Sequence, residues 1–388
     1  MSDLRWTTAG ESHGRALIGI LEGFPAGFPL SIERVDSELA RRQGGYGRGG
    51  RMRIETDRVD VLSGVRAGAT LGSPIALSLV NKDATIERMP VPTNPRPGHA
   101  DLAGCLKYGH RDPRAVLERA SARETAIRVA LGGVARQVLE RFGVEICAHV
   151  VALGDVDADR DAAEAAFAGS AADRSARRAA SEFFALDPAF DARARALVDA
   201  AKESGDTLGG VFEVRAFGLP PGLGSYQSGP ERLTSRLGGA LFSIPAMKGV
   251  EFGLGFETAR RRGSEAHDAI VAAPDGSGPA GTRYRRATNR AGGLEGGMTT
   301  GEPLVVRVAM KPIPTLRQGL PTVDFATLEP VAATWQRSDV TSVPAASVVG
   351  EALVALELVR AFLAKFGGDA LAEVERAHAG YVRAVREV

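Results

Sequence analysis

The chain has 388 residues, with 48 Lys and Arg against 47 Asp and Glu, for a formal charge of +1. A balance that close argues against nucleic acid or an acidic membrane as the main partner, so positive charge must matter where arginines cluster. The length is ample for a buried core. Cys105 and Cys147 show no CxxC or paired spacing, which predicts a reducing cytoplasm and two small buried apolar residues. No apolar run approaches the roughly 18 residues that span a bilayer, and MSDLRWTTAGESHGR lacks the apolar region of a signal peptide.

In chain order, ALIGIL (16–21) reads as a buried strand. Ser31 then caps a helix to about Arg42, with Ile32, Val35 and Leu39 on its apolar face. The glycine-rich loop GGYGRGGR (44–51) follows, then strand-like stretches at Met52–Glu55, Val59–Ser63 and IALSLV (75–80). Ser121 and Glu124 have capping-box spacing ahead of a helix to about Phe142, which Gly143 ends. Strands are expected at Val144–Leu153 and Gly210–Phe217. Between them, the Ala-, Asp- and Arg-rich residues 154–206 read as a surface insertion, with one helix begun by Asp187-Pro188 and running to about Lys202. Residues 234–244 look helical, 246–256 form a strand with glycine breaks, and 257–303 is a polar loop. Leu304, Val306, Val308 and Met310 alternate as in a strand. A long apolar helix over 345–366 stops at Gly367-Gly368, and an amphipathic helix closes the chain. Without regularly spaced βα units, the expected class is α+β, a single large domain over 1–388.

Four clusters could carry chemistry. In GESHG (10–14), glycines leave His13 unobstructed, and imidazole exchanges protons near neutral pH. The segment matches G-x-S-x-G, yet it precedes the strand at 16–21 where a nucleophile elbow should follow one, so a hydrolase elbow is rejected. Arg41, Arg42, Arg48, Arg51 and Arg53 are threaded through glycines, as suits bidentate binding of phosphate or carboxylate. The Pro95–Glu124 stretch sets His99, His110, Arg114, Arg119 and Arg123 around the helix start at Ser121, whose free amides and dipole attract anions. AGGLEGGMTTGEP (291–303) and KPIPT (311–315) accompany Arg337 and Asp339, an anion holder beside a candidate base. No HExxH, zinc spacing, P-loop or dinucleotide glycine motif is present, so no metal site is proposed.

GESHG, RRQGGYGRGGRM, TLGSPI, RPGHAD, ERASARETA, KGVEFGLGF, AGGLEGGMTTGEP, KPI and RSDVTSVPAA together resemble chorismate synthase, in order, from about Thr7 to Asp369 and most weakly over 154–206. The resemblance implies helices sandwiched between antiparallel sheets, a homotetramer, and 1,4-anti elimination of phosphate from 5-enolpyruvylshikimate 3-phosphate with reduced FMN and no net redox change. It implies that His13 assists the departing phosphate, His99 serves the reduced flavin, and Asp339 helps accept the ring proton. Arg42, Arg48, Arg51, Ser121, Arg123 and Arg337 resemble substrate contacts. Arg42 and Arg48 also match positions for NADPH, the implied electron source. Arg119, Ala120, Ser121, Pro245, Ala246, Gly296, Lys311, Pro312, Ile313, Pro314, Thr315 and Arg337 resemble flavin contacts, and His110 stands second to these. Ser338, Thr341 and Pro314 depart from the usual pattern. Two other readings stay open: a flavin oxidoreductase with net electron transfer, and an RNA binder using the GRGG loop, which the balanced charge disfavours. A separate flavin reductase also stays open as a partner.

Overall fold

Two antiparallel sheets hold two layers of helix between them. The structure, a computed structural model, describes residues 4–49, 56–334 and 339–388, so the expected strand at Met52–Glu55 and also Arg51, Arg53 and Arg337 lie outside the described residues. The first sheet joins β1 (Arg5–Ala9), β2 (Ala16–Glu22), β3 (Asp60–Ser63) and β4 (Ile75–Val80) in the order β1-β2-β4-β3. Its inner face carries Leu17 and Leu21 of β2 and Ile75, Leu77 and Leu79 of β4, all fully buried. Period-2 alternation puts them on one side, as the sequence pattern requires.

Two helices cover that face: α1 (Ile32–Gln43), capped by Ser31 through the Arg34 amide, and α2 (Thr125–Arg141). Gly19 of β2 lets α2 approach, because a Cβ there would sit 2.8 Å from Ile127 Cγ1. The second sheet contains β5 (Glu145–Leu153), β6 (Val156–Asp157), β7 (Gly210–Phe217), β8 (Met247–Phe252) and β9 (Leu304–Met310), ordered β8-β9-β7-β5-β6. Against it lie α3 (Leu233–Phe242) and α4 (Val343–Phe366). The α4 helix is apolar nearly all round and buried over most of its length, as expected of a helix enclosed on every side. The two helical layers meet where Gly132 of α2 touches Ala352 of α4.

Three local expectations need correction. Residues 5–9 form an unforeseen strand, so GESHG does follow one. It links two antiparallel strands instead of leading into a helix, and the rejection of an elbow stands on that ground. Ser121 caps a short 3-10 turn (Ala122–Glu124) through the Arg123 amide at 3.3 Å, while Glu124 turns forward to Arg128 at 2.7 Å, so no capping box closes. The helix placed after Asp187-Pro188 is regular only from Phe190, although the Asp187 carboxylate does cap its start through the Ala189 amide at 2.8 Å and also takes the Asp159 amide.

Residues 154–206 do more than cover a surface. They form helices at Arg160–Phe167, Ala171–Ala180 and Phe190–Ser204, and send Phe183, Phe190, Ala194 and Val198 into the main core. The Glu182 carbonyl accepts from the Tyr46 amide at 2.9 Å, and Tyr46 Oη donates to Asp199 at 2.7 Å, so this segment anchors the glycine-rich loop. Both cysteines are free and buried.

Candidate active site

The turn between β1 and β2 is built around a buried carboxylate. Glu118, fully buried, accepts from the His13 amide at 3.0 Å and lies 2.8 Å from His13 Nδ1 through the same Oε2, while Oε1 accepts from Arg114 Nη1 at 3.0 Å. Its carbonyl also accepts from the Ser12 amide at 3.0 Å. Burial alone would raise the Glu118 carboxyl, but the His13 and Arg114 hydrogen bonds outweigh it and hold it below its ordinary value. Arg119 staples the same turn, donating to the Gly10 carbonyl at 3.0 Å and to the Thr8 carbonyl and hydroxyl at 2.9 Å. Ser12 and Ser121 face each other at 3.2 Å, joining the turn to the start of α2.

Around that helix start the arginines crowd. Arg42, from the last turn of α1, is buried and donates to the Ala122 carbonyl at 2.8 Å and to Thr125 Oγ1 at 2.9 Å. Its Nη1 is buried without a hydrogen-bond partner among the described residues. Burial, then the charge of nearby Arg48, push the Arg42 guanidinium down to about 9, with Arg123 acting in the same direction. Arg123 pairs with Asp57 at 2.7 Å and donates to Asn81 at 3.0 Å. Arg48 pairs with Asp339 at 3.2 Å, and Asp339 also accepts from the Gly49 amide at 2.5 Å and Ser342 Oγ at 2.7 Å. His13, Ser121, Arg123, Arg42, Arg48 and Asp339 thus belong to one connected neighbourhood.

A second neighbourhood surrounds His99. Its Nδ1 lies 2.6 Å from Asp101, which also accepts from Arg96 Nε at 2.8 Å. Burial would raise the Asp101 carboxyl, yet the bonds from His99 and Arg96 drive it well below the usual carboxylate range. Lys311 Nζ donates to the Gly98 carbonyl, and its own amide donates to the Ala246 carbonyl at 3.0 Å. Burial and then Lys248 lower the Lys311 ammonium. Ala246 holds φ at 73°, a left-handed conformation uncommon for alanine and typical of ligand clamps. Arg96 reaches Thr315 at 3.5 Å, and Pro314 packs against Gly98. The two neighbourhoods are bridged: Thr207 Oγ1 donates to the Ile313 carbonyl at 2.7 Å, Leu208 to Val340 at 2.8 Å, and Val340 to Gly47 at 2.8 Å. Gly296 stands apart in a hairpin beside Tyr226, with no hydrogen bond to either neighbourhood among the described residues.

Comparison with known proteins decides what this arrangement belongs to. The chorismate synthase family profile matches residues 4–363. The chain belongs to the chorismate synthase family. It is similar to the chorismate synthases of Desulforudis audaxviator (53% identical, covering 99% of this chain and 98% of that one) and Trichlorobacter lovleyi (53%, covering 99% and 100%). A crystal structure of chorismate synthase superposes with a TM-score of 0.81 at 42% identity, covering 100% of both chains. As a family member this is a carbon–oxygen lyase of the shikimate pathway that eliminates phosphate from 5-enolpyruvylshikimate 3-phosphate to give chorismate, and the family works with a flavin.

The residues present fit both chorismate synthase ligands. An unpartnered buried guanidinium nitrogen amid other arginines suits a phosphate or carboxylate, and the Lys311 ammonium, on the residue whose amide bonds the left-handed Ala246, suits an electron-rich ring system or its phosphate tail. Arg119 donates from both Nη atoms to Gly10 and Thr8, so much of its guanidinium is engaged within the turn. Glu118, Asp57, Asn81, Arg96 and Asp101 were not foreseen as parts of the site. Arg114 and Glu118 do carry the i,i+4 spacing of a helical ion pair, a signal available in the sequence.

Proposed function

We propose that Arg42, Arg48, Ser121 and Arg123, with Arg51 and Arg337, hold the phosphate and carboxylates of the substrate. His13 gives a proton to the phosphate as the C–O bond breaks, and Asp339 accepts the ring proton lost on the opposite face. The C–H pair forms one new double bond, the existing ring double bond shifts by one position, and phosphate leaves with the C–O pair. FMN would be held by the 119–121 backbone, Pro245, Ala246, Gly296, Lys311–Thr315 and Arg337, with His99 oriented by Asp101, which Arg96 also holds. When bound and reduced, FMN lends electron density to the allylic system with no net redox change.

The observation that carries this reading is the buried, unpartnered Arg42 Nη1 beside Arg48 and Arg123. A buried cation lacking a partner is costly, and a dianionic phosphate supplies one. Arg42 and Arg48 also serve the phosphates of NADPH, which reduces the flavin; a separate reductase is the rival source of electrons. We further propose one domain over 1–388, assembled as a homotetramer in the cytoplasm. An anaerobic assay with photoreduced FMN, with and without NADPH, tests the cofactor reading. Phosphate release should require reduced flavin, and release without flavin would overturn it. Sustained NADPH oxidation without substrate would instead favour a flavin oxidoreductase.

A further inference from the structure

We infer that Glu118 is a positioning residue for the elimination, a buried carboxylate that fixes the His13 imidazole with Nε2 as its proton-carrying atom. The inference rests on the proposed role of His13. An ionised carboxylate accepts hydrogen bonds and donates none, so the 2.8 Å contact to Nδ1 requires the proton to sit on Nδ1. Nε2 is then the atom that gains and loses the exchangeable proton. It is the ring nitrogen not held by Glu118, and Asp83 faces it at 3.8 Å.

Glu118 grips the histidine twice, at the ring and at the backbone amide, and its own carbonyl takes the Ser12 amide. Neither the ring nor the turn can rotate without breaking a buried charge-assisted bond. Arg114, buried at the far oxygen and also donating to the Pro90 carbonyl, keeps the carboxylate ionised and therefore purely an acceptor. The arrangement parallels a general principle, in which the second nitrogen of a working imidazole is set by the group its first nitrogen holds.

The test is Glu118→Gln beside Arg114→Met/Glu118→Gln. The double variant removes the counter-charge as well, so no lone guanidinium is left buried if the single variant folds poorly. Both should lower kcat on the order of tenfold to hundredfold with KM nearly unchanged. The pH–rate profile should no longer follow that of the parent, because the ring has lost the carboxylate that its Nδ1 faces and only Asp83, at 3.8 Å from Nε2, remains. Nitrogen NMR of imidazole-labelled protein, read without substrate or flavin, should show a His13 titration that differs from the parent's. In a His13→Ala background the Glu118 substitution should cost almost nothing further. A wild-type His13 titration and pH profile in both variants would overturn the inference. Full turnover by His13→Ala would instead overturn the role of His13, and the NMR titration separates that failure from this one.

Discussion

Arg48 Nη1 meets Asp339 Oδ2 at 3.2 Å, and that ion pair ties the glycine-rich loop to the segment that enters α4. The same carboxylate accepts from the Gly49 amide and from Ser342 Oγ, so Asp339 is anchored from three sides before any ligand arrives. If Asp339 is the base proposed above, being held this way means that it loses little freedom on reaching its transition state. It is also poised beside a guanidinium that an incoming anion could claim.

Asp339→Asn keeps the shape and most acceptor capacity but removes the basic oxygen. We expect turnover to fall by about 10²–10⁴-fold, while FMN binding, followed by flavin fluorescence quenching, stays within a few-fold of the parent. Wild-type turnover would remove Asp339 from the proton path. A large loss of FMN binding would recast it as a structural anchor.

Arg42 leads to a pH prediction. Its guanidinium is pushed down to about 9, well below its ordinary value, by burial and neighbouring cations. Between those values the unfolded chain carries the proton and the folded one does not, so this group's contribution to stability rises with pH there. Anion binding moves the other way, since the charged form that attracts phosphate prevails below about 9. Inorganic phosphate at 100 times its dissociation constant should stabilise the fold by about 2.7 kcal/mol. That gain should shrink as pH rises through 9 and be much reduced in Arg42→Met, as thermal melts with and without phosphate would record. A phosphate effect that is flat from pH 7 to 10 would refute the assignment.

Much of this architecture was legible because burial leaves a periodic trace. Leu304–Met310 alternates cleanly between buried and half-buried positions, and the apolar run of α4 announces a helix with no solvent side. β1 was missed because its five residues are only half-buried on one face and carry no apolar alternation. Residues 154–206 were read as surface because alanine and arginine dominate. Yet Phe183 and Phe190 reach the core, and Arg174 and Arg178 are buried against Glu145 and Glu351. Of the site, the histidines and arginines stood out by their setting among glycines. Their carboxylate partners did not, since pairing across about a hundred residues, as in His13 with Glu118, leaves no local pattern.

Gly132 is where α2 and α4 come closest. A Cβ at that position would lie 2.3 Å from Ala352 Cβ and 2.6 Å from its Cα, so relief requires moving a backbone. Gly132→Ala gains about 1 kcal/mol of helix propensity, but overpacking typically costs about 1–3 kcal/mol, and here backbone is struck, so the steric term should win. Denaturant unfolding should show a net loss, and Gly132→Ala/Ala352→Gly should recover part of it. Additive losses in that pair would show that the two helices do not press on each other there.

Glu351 makes the sharpest stability prediction, because α4 buries this carboxylate among three guanidiniums. Arg136 lies at 3.1 Å, Arg178 at 3.2 Å, and Arg41 bonds the second oxygen. Burial would raise its carboxyl, but Arg41, Arg136 and Arg178 together bring it down to about 2. The folded value lies below the ordinary 4.5, so the unfolded chain binds the proton first on acidification. The cluster's contribution is therefore complete above 4.5 and is lost as pH falls toward 2. Glu351→Gln leaves three cations around an amide and should cost about 3–5 kcal/mol at neutral pH. Its melting temperature should also fall less steeply than that of the parent between pH 5 and 2. Glu351→Met with Arg136→Met and Arg178→Leu, which removes most of the charge, should recover much of the loss. Equal acid sensitivity in Glu351→Gln and the parent would mean that other carboxylates govern the acid limb.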